Sequence, residues 1–490
     1  MKRIYRYGPV LLLLLAGNAL SPVCAQSPEV SYALTAEGSA ASGDHTPFSL
    51  VSNQYGKIPL DAGNALFSAA VAMDGPKNNQ LRWDAGAELI AATPRYRKAY
   101  AQQLYVGLYY KSLFLSVGSR ERYTSLWSRE LSSGDMVFSA NARPIPEINI
   151  SLPQFTVVPH TKGWMQVRGE VALGRSFDKA YLSDFTSGTS QNYVNNVLWS
   201  HKYLFVQIKD TKGAFPLSGI FGAQHWSQWG GTSTNPKMGK QPQGLSDFVR
   251  VFLGLSGDDK ATMSDQINVL GNHYGSYDLR LQYEAPDWKL QVGYQHFFDD
   301  RSGMVLVNRF DGLWGAQLSL PRNRWLSDLV LEYMDTRNQS GPFHKILFDH
   351  KKYYARGGGN DNYYNNGEYT TGASYFGRAI GSPLIFSPEY NSNGRLGFIY
   401  NRMRDWHFGA SGHIAPSLSY RLLFTTLETW GSYAAPLLNT KQAVSGSLDL
   451  NYTPTKHPDW SFTATFAADK GALLKDNAGF GLKIVKRGTF

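Results

Sequence analysis

The chain has 490 residues, of which 42% are hydrophobic and 14% aromatic, and its mean hydropathy is −0.32. After residue 26 no run of about 18 apolar residues occurs, which excludes a membrane protein built from spanning helices. Lysine and arginine total 48 against 38 aspartate and glutamate residues, and they form no dense basic run. The composition therefore predicts no nucleic-acid partner, and an acidic partner is compatible with the charge but not required by it.

The first element in chain order is a predicted signal peptide over residues 1–25. Lys2, Arg3 and Arg6 give it a positive start, a short apolar run follows, and small residues precede a cut after Ala25. The apolar run is too short to span a membrane stably, which disfavours the alternative of a retained anchor.

The predicted mature chain is one domain over residues 26–490. Cleavage after Ala25 removes Cys24, the single cysteine, and so excludes disulfides and thiolate metal sites. A lipoprotein cut before Cys24 stays an open alternative, although Val23 is a poor residue to precede it.

Apolar and polar residues alternate with period two along most of the mature chain, as where Arg280 and Gln282 separate Leu279, Leu281 and Tyr283. About 16 to 20 such segments fit the strand number of a bacterial outer-membrane barrel, whose strands meet lipid on one face and a polar lumen on the other. The clearest segments are 67–73, 81–89, 104–110, 165–173, 204–208, 278–283, 289–295, 314–320, 329–333, 396–400, 418–424, 444–452, 462–466 and 480–484.

The same alternation would suit a soluble β-sandwich or propeller. The chain end favours the barrel, because Phe490 is in phase with Phe480, Leu482 and Ile484 on one face of the last strand. A terminal aromatic residue on that face resembles the signal that barrel-assembly machinery reads. The fold class predicted is therefore all-β, a transmembrane antiparallel β-barrel.

The connections in the C-terminal half predict the orientation of this barrel. Short proline-containing turns at 285–287, 321–323, 415–417 and 454–458 alternate with longer connections. Barrels have short periplasmic turns and longer outer loops, so these turns and Phe490 are expected in the periplasm. The predicted outer connections are 256–273, 298–312, 335–372 and 426–443, with 402–405 as a short exception.

Several charged and amide residues share alternate positions with strand residues and are predicted to line the lumen. A charged lumen filters solutes if it is open, or is closed by mutual ion pairs, and the sequence leaves both possible. The candidates are Arg120, Arg122, Asn141, Arg143, Arg168 and Glu170.

The sequence gives little support for an enzyme. It has no nucleophile-elbow, zinc-helix or phosphate-loop motif, so no catalytic residue and no cofactor are predicted. A Ser–His barrel hydrolase stays a weak alternative because serine is abundant. Asp258, Asp259 and Asp265 carry oxygen donors at short spacing but match no calcium-loop pattern, so no metal is predicted either.

One loop segment, 353–369, has the composition of a glycan-binding surface. Aromatic rings stack on the C–H faces of sugars, while amide and charged side chains reach the hydroxyls, although packed loops and interface girdles show similar residues. The candidates are Tyr353, Tyr354, Arg356, Asn360, Asp361, Tyr363, Tyr364 and Tyr369, with Trp226 and Trp229 as a second group.

Two motifs then give a resemblance to a known family. These are residues 138–146, FSANARPIP, and residues 257–278, in which GDD leads through NVLGNH to GSYD. With the chain length and the terminal Phe490, they make the chain similar to the Wzi capsule-assembly family over most of its mature length.

The resemblance implies a barrel of about 18 strands, in line with the alternating segments. It also implies a small periplasmic helical plug and an outer-surface lectin that attaches or organises capsular polysaccharide. No catalytic residue comes with it.

The predicted function is therefore a non-enzymatic protein of the Gram-negative outer membrane that binds capsular polysaccharide and assists capsule assembly. The expected partners are surface polysaccharide, outer-membrane lipid and the barrel-assembly machinery through Phe490, and the expected state is a monomer. The alternative is a porin-like channel for oligosaccharides or other small solutes.

Overall fold

The protein is described by a computed structural model over residues 28–76, 80–94, 98–343, 345–348, 355–391 and 394–490. Side chains are described in these ranges except at Ile267, 345–348 and 355–357. The predicted signal peptide lies outside the described residues. No helix in the described ranges is both long and apolar enough to cross a membrane.

Among the described residues, eighteen strands form one sheet, which confirms the predicted all-β class. The long, evenly distributed strands follow from the period-two alternation in the sequence. In chain order they are Glu29–His45 (β1), Asp61–Asp74 (β2), Leu81–Thr93 (β3), Ala99–Tyr110 (β4), Leu113–Ser119 (β5), Glu147–Val157 (β6), Met165–Arg175 (β7), Leu198–Ile208 (β8), Leu217–Trp229 (β9), Asn272–Glu284 (β10), Lys289–Phe298 (β11), Gly312–Ser319 (β12), Asp328–Asp335 (β13), Arg404–Ala415 (β14), Leu418–Gly431 (β15), Pro436–Tyr452 (β16), Trp460–Lys470 (β17) and Asn477–Thr489 (β18).

The sheet closes on itself as an antiparallel barrel. Each strand pairs with its neighbour in sequence, and β1 pairs with both β2 and β18. Ser31 lies opposite Thr489 and Ala36 opposite Ile484, so the first and last strands are in register over most of their length. Closure leaves no unpaired strand edge, which is the condition for a sheet to cross hydrocarbon.

The outer face of the barrel is an apolar belt. Phe480, Leu482 and Ile484 of β18 are 40%, 54% and 40% exposed, whereas Val485 on the other face is 5% exposed. Phe67 of β2 is 51% exposed, and its neighbour Ser68 is buried in the lumen. So much exposed apolar surface is stable only against lipid, and the chain therefore spans a membrane through its strands.

The two ends of the barrel differ in the length of their connections, as predicted. At the end that holds Phe490 the strands are joined by short turns such as 111–112, 285–288 and 416–417. At the other end the connections include 120–146, 230–271 and 336–403. The short-turn end is therefore the periplasmic end and the long-loop end is the outer end.

Three predicted details were wrong. Residues 426–443 are mostly strand, because β15 and β16 extend to a turn at 432–435. Residues 402–405 are not a separate connection but the junction of the 336–403 connection with β14. Residues 396–400 form no barrel strand, and their alternating Leu396 and Phe398 are buried in packed loops.

The helices in the described ranges are short and belong to the connections at the outer end. They are Phe48–Val51 (α1), Lys179–Phe185 (α2), Leu245–Leu253 (α3), Met263–Ile267 (α4) and Arg301–Met304 (α5), with a 3-10 turn at Pro388–Tyr390. Short antiparallel hairpins pair Lys345–Phe348 with Ala355–Gly358 and Ser374–Tyr375 with Arg378–Ala379. Val194–Asn195 pairs with Thr232–Ser233, which links the connection after β7 to the connection after β9.

The main hydrophobic core lies inside the outer half of the barrel. Residues 120–146 and 359–391 fold into the lumen from the outer end and pack against lumen-facing residues such as Phe297 and Leu313. In the described part of these two segments the chain is irregular apart from the short hairpin and the 3-10 turn. The plug is therefore made of irregular loops at the outer end, and the periplasmic helical plug that the resemblance implied is not found among the described residues.

Candidate functional site

Two lumen-facing carboxylates hold Arg122, which lies near the start of the plug, three residues after the end of β5. Its guanidinium donates to Glu170 at 2.6 Å and to Glu147 at 2.8 Å, and it lies 4.1 Å from the centre of the Phe138 ring. His201 shares Glu170 at 3.1 Å. A buried arginine is stable only where its charge is paired in this way, so these contacts fix where the chain enters the lumen.

The plug then crosses to the opposite wall. The hydroxyls of Ser132 and Ser133 donate to the buried carboxylate of Glu332 on β13, at 2.6 and 2.5 Å. His407 of β14 hydrogen-bonds the carbonyl oxygen of Leu131 at 2.8 Å. The segment 120–146 thus joins β5 to β13 and β14 across the barrel and blocks its cross-section.

Of the predicted lumen-lining residues, Arg168 and Glu170 face the lumen from β7, whereas Arg120, Arg122, Asn141 and Arg143 are not strand residues and belong to the plug itself. Arg120 pairs with Asp84 at 2.7 Å, and Asn141 donates to the carbonyl oxygen of Ala379 at 3.1 Å. Arg143 lies 4.0 Å from the centre of the Tyr100 ring. At this level the plug fills the lumen, and ion pairs such as that of Arg120 with Asp84 attach the plug to the wall. Arg168 reaches the carbonyl oxygen of Tyr123 at 3.4 Å.

The predicted glycan tyrosines of the described loop face inward. Tyr363, Tyr364 and Tyr369 are 0%, 0% and 2% exposed. The Tyr363 hydroxyl donates to Asp311 at 3.2 Å, and the Tyr364 hydroxyl donates to the carbonyl oxygen of Met136. Burial with satisfied hydroxyls makes Tyr363 and Tyr364 part of the plug core, whereas Tyr369 packs in a separate cluster with Val194 and Val197. Sugars do not reach these rings in this conformation.

The two predicted tryptophans are also buried, at different places. Trp226 faces the lumen and stacks on Tyr274 with ring centres 4.8 Å apart. Trp229 is on the outer wall, where Phe248 of α3 covers it. Neither ring is open to a ligand in this structure.

The other predicted glycan contacts of segment 353–369 are described only in part. Asp361 is buried and accepts a hydrogen bond from the Ser340 hydroxyl at 2.7 Å. Asn360 is half-buried at the start of the same segment. Arg356 is in a hairpin strand and its side chain lies outside the described residues, as do Tyr353 and Tyr354 altogether.

The amide side chains of the same loop have the opposite orientation from its rings. Between the buried tyrosines, Asn362 is exposed, and Asn365 and Asn366 are half-buried. Asn366 accepts the backbone N–H of Glu368 and Tyr369, which fixes the turn. The Tyr/Asn pattern therefore divides between buried rings that anchor the loop and amides nearer the surface, of which Asn365 and Asn366 hold backbone groups of the loops.

These amides adjoin residues that the sequence analysis did not single out. The Thr370 hydroxyl donates to the carbonyl oxygen of Asn192 at 2.6 Å, and the Thr234 hydroxyl donates to the Asn192 side chain at 3.3 Å. Three outer connections thus meet at one surface. We name it the outer platform and define it as Gln191, Asn192, Thr234, Asn365, Asn366 and Thr370.

The outer platform has uncharged donors and acceptors at its centre and basic residues at its side. Asn192 and Thr234 are exposed, and Lys237 and Lys240 of the neighbouring hairpin are exposed as well. The sequence signal was the polar composition of 174–200 and 230–243, but nothing in it showed that these stretches meet the Tyr/Asn loop.

Acidic residues beneath the surface join the outer loops to each other. Burial, together with nearby Glu368, raises the pKa of Asp265 to about 7. Burial raises the pKa of Asp311 to about 7, and burial with nearby Asp300 raises the pKa of Asp361 to about 7. In the described ranges no three His, Cys, Asp or Glu side chains are arranged to hold a metal ion.

The periplasmic half of the lumen has a different character. Cavities of about 690, 560 and 370 Å³ lie there, with polar residues in their walls. Asp328, Asp449 and Lys483 line the largest, and Lys209 and Lys289 line the smallest of the three. The lumen is thus open below the plug and filled at its level.

Comparison with known proteins agrees with this architecture. The sequence matches the family model "Capsule assembly protein Wzi" over residues 86–467. A search of curated proteins finds no match.

Among solved structures the chain is similar to Wzi from Escherichia coli, described as an outer membrane protein involved in group 1 capsule assembly and a carbohydrate-binding β-barrel. The TM-score is 0.57 at 11% identity, over 92% of this chain and 83% of that chain. OprD from Pseudomonas aeruginosa matches with a TM-score of 0.46 at 10% identity, over 95% and 96%. At these identities the likeness to the first structure shows the barrel fold alone.

The family model covers well over half of the chain, including the lumen-crossing segment and most of the strands. The apolar belt and the closed sheet are those of a barrel in the outer membrane. The protein therefore belongs to the Wzi capsule assembly family and is an outer-membrane β-barrel.

Proposed function

We propose that this barrel binds capsular polysaccharide at the cell surface through its outer platform and assists capsule assembly or attachment without catalysing a reaction. Two features together support this proposal: the plug fills the outer half of the lumen, and three outer connections meet in a polar surface above it. A polysaccharide that meets this barrel from outside encounters loops held in place by the plug, not a pore.

The chemistry of the outer platform supports a sugar ligand. Asn192 and Thr234 present an amide and a hydroxyl beside each other at the surface, and such neutral groups match the donors and acceptors of sugar hydroxyls. Lys237 and Lys240 add positive charge, which favours an acidic polysaccharide through long-range attraction.

The relatives support the same class of ligand. The family model is described as capsule assembly, and the related Escherichia coli barrel is described as carbohydrate-binding. Neither description names a reaction, which supports a binding role over the hydrolase alternative.

Three further expectations belong to this proposal. Tyr353, Tyr354 and Arg356 stay predicted glycan contacts in the same outer connection as the platform amides. Phe490 is 87% exposed at the periplasmic end, which supports its role as the residue read by the barrel-assembly machinery. We propose that the protein acts as a monomer, because the barrel is complete within one chain.

The test is polysaccharide retention on cells that carry platform variants. In the double variant Lys237→Ala with Lys240→Ala, we expect more of an acidic capsule in the medium and less on the cell, with unchanged total. The matched control is Lys212→Ala with Lys456→Ala, which removes two exposed lysines from periplasmic turns.

Asn192→Ala tests the neutral part of the platform, because it removes an exposed amide that accepts the Thr234 hydroxyl at 3.3 Å. Full retention in both platform variants, at wild-type barrel abundance, would overturn the assignment of this surface. A loss equal to that of the periplasmic control would also overturn it.

A further inference from the structure

The connection between β9 and β10 folds over the outside of the barrel wall. On β8 and β9 the membrane-facing positions include Leu204 and Phe221, which are 57% and 52% exposed. Ser200 and Ser227 have the same outward phase nearer the outer end, but both are 0% exposed. Something therefore covers the barrel wall directly above the apolar belt, and that cover is α3 with its flanking loop.

The covered wall is polar. We name it the wall patch and define it as Ser200, Lys202, His225, Ser227 and His273. Ser200 and Ser227 hydrogen-bond at 2.8 Å, and the rings of His225 and His273 at 2.9 Å. Such groups facing hydrocarbon would be costly, so this part of the wall needs protein between itself and the membrane.

The C-terminal turn of α3 partners the one lysine of the wall patch. Lys202 donates to the carbonyl oxygen of Phe252, and its ammonium nitrogen lies 3.9 Å from the centre of the Phe252 ring. A cation is stabilised by the free carbonyls at the end of a helix. This contact holds α3 against the wall in a fixed position.

The ends and one face of α3 are well determined. Asp247 accepts the backbone N–H of Gly244 at 2.6 Å, and Gly254 ends the helix with φ of 66°. Val251 is 0% exposed and packs with Trp229 of β9. The helix therefore has a face fitted to the barrel.

A second face of α3 is apolar and has no partner among the described residues. Leu245, Val249 and Leu253 are 80%, 46% and 62% exposed. Their spacing of four residues places them along one side of the helix, while Ser246 and Arg250 occupy the remaining side. This is the distribution of an interfacial helix, with one face in acyl chains and one toward headgroups.

We infer that α3 lies in the outer leaflet of the membrane, with Leu245, Val249 and Leu253 in contact with lipid acyl chains. Lipid is expected against these residues because the helix lies on the wall immediately above the lipid-facing Leu204 and Phe221. The apolar stripe extends the belt outward past the wall patch.

A neighbouring connection extends the belt in the same way. Phe310, between β11 and β12, is 68% exposed, and its ring centre lies 6.2 Å from that of the lipid-facing Trp314. Val305 and Leu306 of the same connection are 62% and 58% exposed. One side of the barrel, from β8 to β12, thus has apolar loops at the level where the strands leave the belt.

The test uses a fluorescent label on the full barrel in proteoliposomes at low protein density. Each variant has Cys24→Ser and one new cysteine, at Val249 or Leu245 on the stripe. We expect quenching by lipids with brominated acyl chains to be within about twofold of that for Leu204→Cys, and iodide in water to quench weakly. The matched control is Ser246→Cys on the same helix, where iodide should quench strongly.

Barrel folding is checked for each variant by its heat-dependent electrophoretic mobility. Iodide quenching at Val249→Cys and Leu245→Cys equal to that at Ser246→Cys would overturn the inference. Protection from both quenchers, with energy transfer between labelled copies, would also overturn it and would identify a second copy as the occupant.

Discussion

The outer and periplasmic halves of the lumen are built from the same strands but have opposite contents. In the outer half, rings such as Tyr364 and Phe297 are fully buried, and the buried Glu332 carboxylate accepts hydrogen bonds from plug serines. In the periplasmic half, lumen-facing residues such as Asp449 and Lys483 border a cavity of about 690 Å³. The barrel wall therefore does not decide whether the lumen is open; the loops that fold into it do.

Ion pairs have different roles in the two halves of the barrel. Arg122 is enclosed with Glu147 and Glu170, so each charge depends on its partner for stability. Arg322 and Asp287 pair in solvent between two neighbouring periplasmic turns, with side chains 73% and 62% exposed. Exposed ion pairs of this kind are screened by water and salt and contribute little to the stability of the fold.

Arg122→Ala has the largest expected effect, because it leaves two buried carboxylates without their cation. We expect a loss of about 3–5 kcal/mol in plug stability, the range for breaking a buried ion pair. In planar bilayers the variant should show frequent openings, whereas the wild-type barrel stays closed.

Arg322→Ala is the matched control, since it removes an arginine ion pair from the periplasmic end. Its conductance trace should match that of the wild type. Equal closure of Arg122→Ala and the wild type would contradict the role assigned to the buried pair.

Tyr364→Ala has the next largest effect, because it removes a fully buried ring from the centre of the plug. Large-to-small changes in a packed core cost about 3–5 kcal/mol, and Tyr364→Phe, which loses only the hydroxyl contacts, should cost about 1 kcal/mol. Cleavage of the outer loops by an added protease on whole cells measures the difference.

Lys483→Ala provides the comparison from the other half, because Lys483 borders a periplasmic cavity and pairs with Glu37 of the wall. Outer-loop cleavage should not change in this variant. If cleavage rises as much as in Tyr364→Ala, a change in the periplasmic half also loosens the outer loops. That result would contradict the independence of the two halves.

The smallest effect is expected from pH. Burial raises the pKa of Asp265, Asp311 and Asp361 to about 7, so their loops pack best while these carboxyls hold their protons. The stabilisation is complete below the ordinary carboxyl range and is lost as pH rises through about 7. Protease cleavage of the outer loops should therefore be faster at pH 8 than at pH 5.

Asp361→Asn keeps the hydrogen-bonding shape without a titrating proton and should flatten part of this pH dependence. A profile that is unchanged by the substitution, or cleavage that is faster at pH 5, would contradict the assignment.

The fold was predictable because its signal is local in the sequence. Alternation such as that of Phe480, Leu482 and Ile484 fixes which side of a strand meets lipid, and turn length fixes the orientation. The plug had no such signal, since irregular segments have no period. Leu396 and Phe398 alternate like a strand yet pack within loops.

The candidate site was only partly predictable for the same reason. The Tyr/Asn composition of 353–369 identified a segment at the outer surface, but whether Tyr363 points inward depends on Asp311 and Asn308, which are distant in sequence. Asn192 and Thr234 had no motif at all and are assigned only because three loops meet. Trp229 was predicted as a glycan contact, and nothing in the sequence showed that Phe248 of α3 covers it.

The central claim is that the outer surface of this barrel holds polysaccharide on the cell, and it is tested most directly in a strain that lacks the protein. Cell-bound and released capsular polysaccharide are measured separately, with the intact chain restored as the control. We expect unchanged synthesis, with polysaccharide shed into the medium. An unchanged cell-bound capsule would contradict it.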